Sequence, residues 1–323
     1  MREKFFLRLI GIFILCLIVS RIDVYQCWEV LKNINLFYFA LAMIISLPLL
    51  ALKAYRWKFI LRLQGIEYPF KKVCLSFLGS VFLGLITPGR IGEYAKVFYL
   101  KHDMDVSTGK AFSSVLIDRL LDFFFLLVVA GTCAVVFYPH PWLRGIYFLI
   151  LLTVLALVTA CRSRFGALSQ FLFRIAAGEK RRGFNMQLED FLGGMVSMQK
   201  TKFLMAVVFT VISNGLFFIR CYLIALSLSI SIDFFAFVFF MSIVNLVVLV
   251  PISIAGLGTR EGTLIFLFSQ VNIPQEVALS FSLLILLSVN LWTGMLGFAA
   301  WLISPLRLGM IKKNVLKSDQ VKV

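Results

Sequence analysis

The sequence predicts an all-α, polytopic helical membrane protein with about six full spans, two oppositely inserted re-entrant helical hairpins, and both termini in the cytoplasm. Three observations carry that prediction. Of 323 residues, 61% are hydrophobic and only 15% are charged, against roughly 45–50% and about 25% in soluble domains. Several apolar runs approach the roughly 20 residues needed to cross a hydrocarbon core of about 30 Å. The basic residues are concentrated in alternate connections between those runs, as the positive-inside rule requires. This composition excludes a soluble enzyme, a nucleic-acid-binding domain and a disordered chain. The excess of 32 Lys and Arg over 16 Asp and Glu is loop charge facing anionic headgroups, so no nucleic-acid partner is expected.

The full spans are expected at about 5–21, 34–52, 111–137, 145–161, 203–226 and 277–303. The first carries Arg2, Lys4 and Arg8 at its start but ends in Leu17-Ile18-Val19-Ser20-Arg21 without a small-x-small cleavage site, so it reads as an uncleaved span. Segment 53–72 holds Lys53, Arg56, Lys58, Arg62, Lys71 and Lys72. Its part 53–70, with Tyr55, Trp57, Phe59 and Leu63 between the cations, reads as an amphipathic interfacial helix. Segment 162–202 is equally basic and has helical character, and residues 304–323 form a basic cytoplasmic tail. The connections on the other side (22–33, 138–144, 227–233, 272–276) hold only Lys32 and Arg144. Residues 1–303 therefore form one transmembrane domain with both ends inside, in the cytoplasmic membrane.

Two apolar stretches are too short to be ordinary spans. Residues 73–86 cover about 21 Å as a helix and run into Thr87-Pro88-Gly89-Arg90, after which a second stretch returns through Tyr94 to Leu100. Its flanks, Lys71, Lys72 and Lys101, put both ends of a hairpin at about 73–100 on the cytoplasmic side. Residues 234–250 break at Pro251 and the Gly256-Leu257-Gly258 turn, and Thr263–Val271 returns. The flanks of this second hairpin, about 234–271, lie on the outer side. Oppositely inserted broken helices are the arrangement of inverted-repeat transporters.

Ionisable residues at membrane depth are costly and are paired or functional. They fall in three clusters: Arg90, Glu93 and Lys96 after the first break; Asp118, Arg119 and Asp122 in the third span; and Arg260 with Glu261 after the second break. Arg220 is a further intramembrane cation. In each hairpin a half-helix begins after a Gly-containing turn, where free N–H groups and the helix dipole favour an anion. Arg90 or Arg260 there could grip a phosphate through two parallel hydrogen bonds. Gly89, Gly92, Gly256 and Gly258 let backbone approach the ligand, and Thr87 lies in the same turn. Glu93 and Glu261 would orient the arginines or accept a proton. Asp118 and Asp122, i,i+4 on one face, repel unless cations sit opposite, and Arg90 and Arg260 are the expected partners. Lys96 and Arg119 complete the charge balance. The alternative is that all these charges merely neutralise one another and pin the hairpins. His102 and His140 are isolated and the six cysteines form no Cys-x-x-Cys pair, so no metal, cofactor or catalytic constellation is expected.

The three clusters resemble the flippase-like membrane family typified by the transmembrane portion of bacterial lysylphosphatidylglycerol synthases. The resemblance rests on Thr87-Pro88-Gly89-Arg90-x-Gly92-Glu93, on Asp118-Arg119-x-x-Asp122, and on Pro251 followed by Gly256-x-Gly258-x-Arg260-Glu261, in that order across about residues 35–303. Ala255 departs from it, standing where the family often has a glycine. Bifunctional members join such a unit to a soluble lysyl-transferring domain, for which no room is expected after the last span. The resemblance therefore implies a stand-alone membrane unit that moves an anionic or headgroup-modified phospholipid, or a polyisoprenyl-linked lipid, between leaflets. Two alternatives stay open: an accessory subunit of a separate lipid-modifying enzyme or glycosyltransferase, and an intramembrane lipid transferase.

Overall fold

The computed structural model describes residues 24–87, 89–137, 182–196, 201–250, 253 and 256–305, and every regular element in them is a helix. The expected spans 5–21 and 145–161 and nearly all of the tail lie outside the described residues. In chain order the elements are α1 (Val24–Lys32), α2 (Leu36–Leu63), α3 (Phe70–Leu85), a 3₁₀ turn (Ile91–Ala95), α4 (Lys96–Met104) and α5 (Thr108–Phe137). After them come α6 (Arg182–Val196), α7 (Thr201–Ser227), α8 (Phe234–Leu249), α9 (Thr259–Ser269), α10 (Gln275–Ile285), a π-helical segment (Leu286–Leu291) and α11 (Trp292–Ile303). Four stretches are long and apolar enough to cross a membrane: Leu36–Leu63, Thr108–Val136, Lys202–Ser227 and Gln275–Ile303. They match four of the expected spans.

One local expectation is overturned. Residues 53–70 do not form a separate interfacial helix, because α2 runs unbroken to Leu63. No Gly or Pro interrupts 53–63, and the Arg56 side chain is fully buried against acidic partners. With its charge matched inside the protein, nothing forces the helix to bend out to the surface. The Asn35 side chain accepts the Phe37 N–H to start α2, and Gly65, at φ +74°, ends the turn after it.

Helices α2 and α7 form an antiparallel pair. The Asn35 N–H donates to the Ser227 carbonyl at 2.8 Å, while near the other end Tyr55 and Phe59 pack edge-on to Phe209. A broken-helix hairpin follows each of the two. Helices α3 and α4 form the first, after the C-terminal end of α2; α8 and α9 form the second, after the C-terminal end of α7. The hairpins therefore begin at opposite ends of the pair.

The open end of the first hairpin is closed by the Tyr68 hydroxyl, 2.8 Å from Asp103 Oδ2, and by Lys72 Nζ, 3.7 Å from the same oxygen. Burial raises the Tyr68 pKa, with the Asp103 carboxylate adding to the effect, so the phenol stays a donor. Small residues let the arms approach. A Cβ on Gly79 would lie 2.8 Å from the Tyr99 hydroxyl, and one on Gly92 would strike the Leu83 carbonyl. In the second hairpin Phe240 meets Phe268, and Phe237 and Phe268 both pack on Phe281 of α10. Each hairpin thus sits in its own apolar core, one with Trp57, Phe77 and Leu100 and the other with Phe237, Phe268 and Phe281.

Gly92→Ala should overpack the first hairpin and cost about 1–3 kcal/mol. Gly193→Ala, where nothing lies within 4 Å of the added carbon, should gain up to about 1 kcal/mol of helix propensity. Thermal unfolding in detergent separates the two, and equal shifts would refute the packing assignment.

Candidate functional site

The expected membrane-depth charges are brought together mainly by α5. Asp118 and Asp122 share one face of it, and a single guanidinium on α2 spans both. Arg56 Nη2 and Nε lie 2.7 and 3.0 Å from Asp118 Oδ1. Its Nη1 lies 2.6 Å from Asp122 Oδ1, and Nη2 is 3.0 Å from Asp122 Oδ2. The remaining Asp118 oxygen accepts from Lys96 at 2.9 Å and from Arg119 at 3.2 Å. Lys96 Nζ also lies over the rings of Trp57 and Phe77, at 5.2 and 4.9 Å from their centroids, so its charge meets a carboxylate and two π faces. Arg119 bridges to Glu93 at 2.8 Å, tying α5 to the 3₁₀ turn of the first hairpin. Asp122 gains Asn214 at 3.0 Å and Lys53 at 3.5 Å.

This corrects the expected pairing. Arg90 and Arg260 are not the contact partners of Asp118 and Asp122; Arg56, Lys96, Arg119 and Lys53 are. The reason is reach: the two carboxylates face α2 and the start of α4, whereas the arginines sit in the hairpin turns. Sequence reasoning missed Lys53, Arg56, Thr210, Asn214 and Ser282. A signal existed for the first two. Lys53 and Arg56 stand i,i+3 on an uninterrupted apolar helix, a spacing that matches Asp118 and Asp122 at i,i+4. Thr210 and Asn214, i,i+4 on α7, gave a weaker one.

The two hairpin turns differ in how their arginines are satisfied. In the second, Arg260 Nη2 lies 2.6 Å from Glu261 Oε1, and Ser282 of α10 bonds both side chains, at 2.8 and 2.7 Å. Glu261 Oε2 accepts the Gly258 N–H at 2.6 Å, so a carboxylate of the chain itself caps α9. Gly256 and Gly258 hold φ +77° and +82°, which favours glycine at both. In the first turn, Thr87 Oγ1 accepts the Gly92 N–H at 2.7 Å, and Gly89 sits at φ +58°. Arg90 itself is left-handed at φ 56°, a strained conformation for a non-glycine residue. Its Nη1 lies 3.9 Å from Glu93, its side chain is 37% exposed, and its Nε–H has no partner among the described residues. It also feels the positive charges of Arg119 and Arg260. Pro88, Pro251 and Ala255 lie outside the described residues.

Counted formally over the described residues, the first network sets Lys53, Arg56, Arg90, Lys96 and Arg119 against Glu93, Asp118 and Asp122. Cations therefore exceed carboxylates by two. Such a site can hold an anion, and its exposed edge is Arg90.

The sequence model described as "Lysylphosphatidylglycerol synthase TM region" matches residues 7–311, and so takes in all three clusters. The chain belongs to that family. Among curated proteins it is similar to the UPF0104 membrane protein MJ1595 of Methanocaldococcus jannaschii, 27% identical over 318 residues and covering 92% of this chain and 94% of that one. It is also similar to the UPF0104 membrane protein PH1989 of Pyrococcus horikoshii, 24% identical over 307 residues, covering 87% and 91%. For this member of the lysylphosphatidylglycerol synthase TM-region family, membership fixes a multi-pass membrane protein, and the buried network is its most concentrated chemistry.

Arg56→Ala should destabilise the protein by about 3–5 kcal/mol, since it removes the shared partner of buried Asp118 and part-buried Asp122. Arg62→Ala, two turns on and exposed, should change stability by less than about 0.5 kcal/mol. Thermal unfolding of both variants in one detergent checks this, and a mild Arg56→Ala would show that Lys96 and Arg119 suffice.

Proposed function

We propose that this protein is a lipid transporter of the cytoplasmic membrane, moving an anionic or headgroup-modified phospholipid, or a polyisoprenyl-linked lipid, between leaflets. The observation that carries this reading is Arg90. It is a strained, partly exposed arginine with an unpartnered Nε–H, at the edge of a network in which cations exceed carboxylates. Arg90 is the principal phosphate ligand, with Gly89 and Gly92 giving close backbone approach and Thr87 holding the turn. Arg119, Lys96, Glu93, Asp118 and Asp122 set the local charge or relay protons. Arg260, Glu261, Gly256 and Gly258 form the matching turn of the second hairpin, whose arginine meets the ligand only after leaving Glu261. The family description, naming the membrane region of a lipid-modifying synthase, fits a lipid substrate.

The same reading makes both hairpins re-entrant and both termini cytoplasmic. The side-by-side ends of the first hairpin at Tyr68, Lys72 and Asp103 support it, as do the antiparallel α2 and α7. A second reading, an accessory subunit of a separate lipid-modifying enzyme or glycosyltransferase, is favoured by one observation. The Arg56 and Arg260 pairs are satisfied without any ligand, so they can serve to hold the hairpins alone.

Fluorescent-lipid scrambling in proteoliposomes separates the readings. Arg90→Gln should reduce transport by about tenfold or more with the unfolding temperature unchanged. Arg90→Lys should restore only part of it, because the bidentate fork is lost. Wild-type rates in a well-folded Arg90→Gln would sink the transport assignment of this residue. Topology is checked on a cysteine-free background: Phe70→Cys and Lys101→Cys should both label from the cytoplasmic side. Labelling from opposite sides would make the first hairpin a span.

A further inference from the structure

Arg220 lies on α7 with only 1% of its surface exposed. One Nη2–H donates to the Ser288 carbonyl, and the Nε–H has no partner among the described residues. No carboxylate pairs with it there. The buried acids Glu93, Asp118 and Glu261 and the part-buried Asp122 are each held by other cations. Outside the described residues the sequence offers only Glu3, Asp23, Glu179 and Asp319, none of them inside an apolar run. A guanidinium cannot escape burial by losing its proton, and a buried charge is stable only when matched. Among the described residues no carboxylate supplies the match.

The facing surface is unusual in the same place. The Ser288 carbonyl belongs to the π-helical segment Leu286–Leu291, where the Trp292 N–H reaches back five residues to Leu287. Single π turns recur at functional sites because they widen the helix and redirect its polar groups. Ser288 returns its hydroxyl to the carbonyl four residues back. Thr293, one π turn beyond Ser288, does not: its buried hydroxyl has no partner among the described residues. The guanidinium bonded to the π segment thus keeps a buried Nε–H, and the residue two beyond that segment a buried hydroxyl, each without a partner among the described residues.

We propose that Arg220, bonded to this π segment, and Thr293, just beyond it, form a second anion site that takes a singly charged phosphate group, from a lipid headgroup or as free inorganic phosphate. Two adjacent oxygens of such a group match the parallel N–H directions of arginine. The site shares no residue with the Arg90 turn. Asn214, which touches Asp122, lies six residues before Arg220 on α7, about 9 Å along the helix axis. As a station for a transported lipid this site rests on the reading above; as an anion site it stands without it.

The test uses the full chain, purified in neutral detergent, as wild type and as Arg90→Gln, Arg220→Gln and Thr293→Val. Binding is read from the thermal shift with inorganic phosphate. A second readout is native mass spectrometry of lipid retained after release from phosphatidylcholine nanodiscs with and without phosphatidylglycerol. One bound phosphate or one retained phosphatidylglycerol should weaken about tenfold or more in Arg220→Gln, weaken severalfold in Thr293→Val, and persist in Arg90→Gln. A response to phosphate alone identifies the free anion, and a response to phosphatidylglycerol alone identifies the headgroup; either supports the site. Arg220→Gln binding both probes as wild type does would overturn it. Should Arg220→Gln not fold, Thr293→Val, which keeps the side-chain shape, decides: weaker binding supports the site and unchanged binding overturns it. Scrambling is measured on the same proteins. Arg220-dependent binding without any wild-type scrambling removes the transport reading and leaves this site, and scrambling without Arg220-dependent binding does the reverse.

Discussion

The structure turns on one guanidinium. Arg56 bonds to Asp118 and Asp122 at once, and each of the three groups would be prohibitive at that depth alone. Desolvating an ion costs several kcal/mol even after relaxation, and only good geometry with every remaining polar site satisfied offsets it. That condition explains the crowding of the surroundings. Thr210 and Asn214 come from α7, Lys96 from the first hairpin and Arg119 from α5 itself. The net effect is positional. Helices α2, α5 and α7 and the first hairpin are fixed to one another by groups that have no tolerable alternative partner in an apolar setting, where mere hydrophobic contact with lipid would discriminate little between arrangements.

The two hairpins solve the same problem in opposite ways. Each places an arginine followed by a glutamate in a turn that relies on left-handed glycines. In the second turn Glu261 lies 2.6 Å from Arg260 and also caps α9, leaving that turn closed on itself. In the first, Glu93 is taken by Arg119 at 2.8 Å, and Arg90 is left with a 3.9 Å contact. The difference follows from position. Arg260 and Glu261 are adjacent at a helix start with Ser282 to orient both, whereas Arg90 precedes Glu93 by three residues across a strained turn. A network with surplus cations and one loosely held arginine favours an incoming anion. A self-neutralised pair with a serine bracket favours a fixed turn.

Much of this was legible in the sequence, and the gaps have physical causes. Apolar run length located α2, α5, α7 and the α10–α11 stretch, because a bilayer leaves few other uses for such runs. The clustered Pro and Gly at 87–92 and 251–258 located the two helix breaks, whereas Pro48 alone lies inside α2 without ending it. Partner choice was not legible. Asp118 and Asp122 announced that cations were needed, but pairing depends on which helices meet, and Arg56 of α2 meets Asp118 of α5, 62 positions further along the chain. Lys53 and Arg56 were misread for a reason that applies generally. A stretch of alternating cations and aromatics has the same pattern whether it lies on a membrane surface or continues a buried helix. Only the partner carboxylates distinguish the two, and they are remote in sequence.

Helix α7 shows what the duplicated layout leaves unequal. It runs antiparallel to α2 and, like α2, is followed by a hairpin. The first hairpin packs into a core threaded with ion pairs, the second into a cluster of phenylalanines around Phe281. Had both halves carried charge networks, each would have needed its own complement of buried acids, and the chain has few. Instead α7 serves both halves from one helix. Its Thr210 and Asn214 complete the ion-pair network, and Arg220, farther along, reaches the π segment with no carboxylate paired to it among the described residues. The polar residues of α7 thus pass from two that bond to the paired network to an arginine with no carboxylate beside it among the described residues.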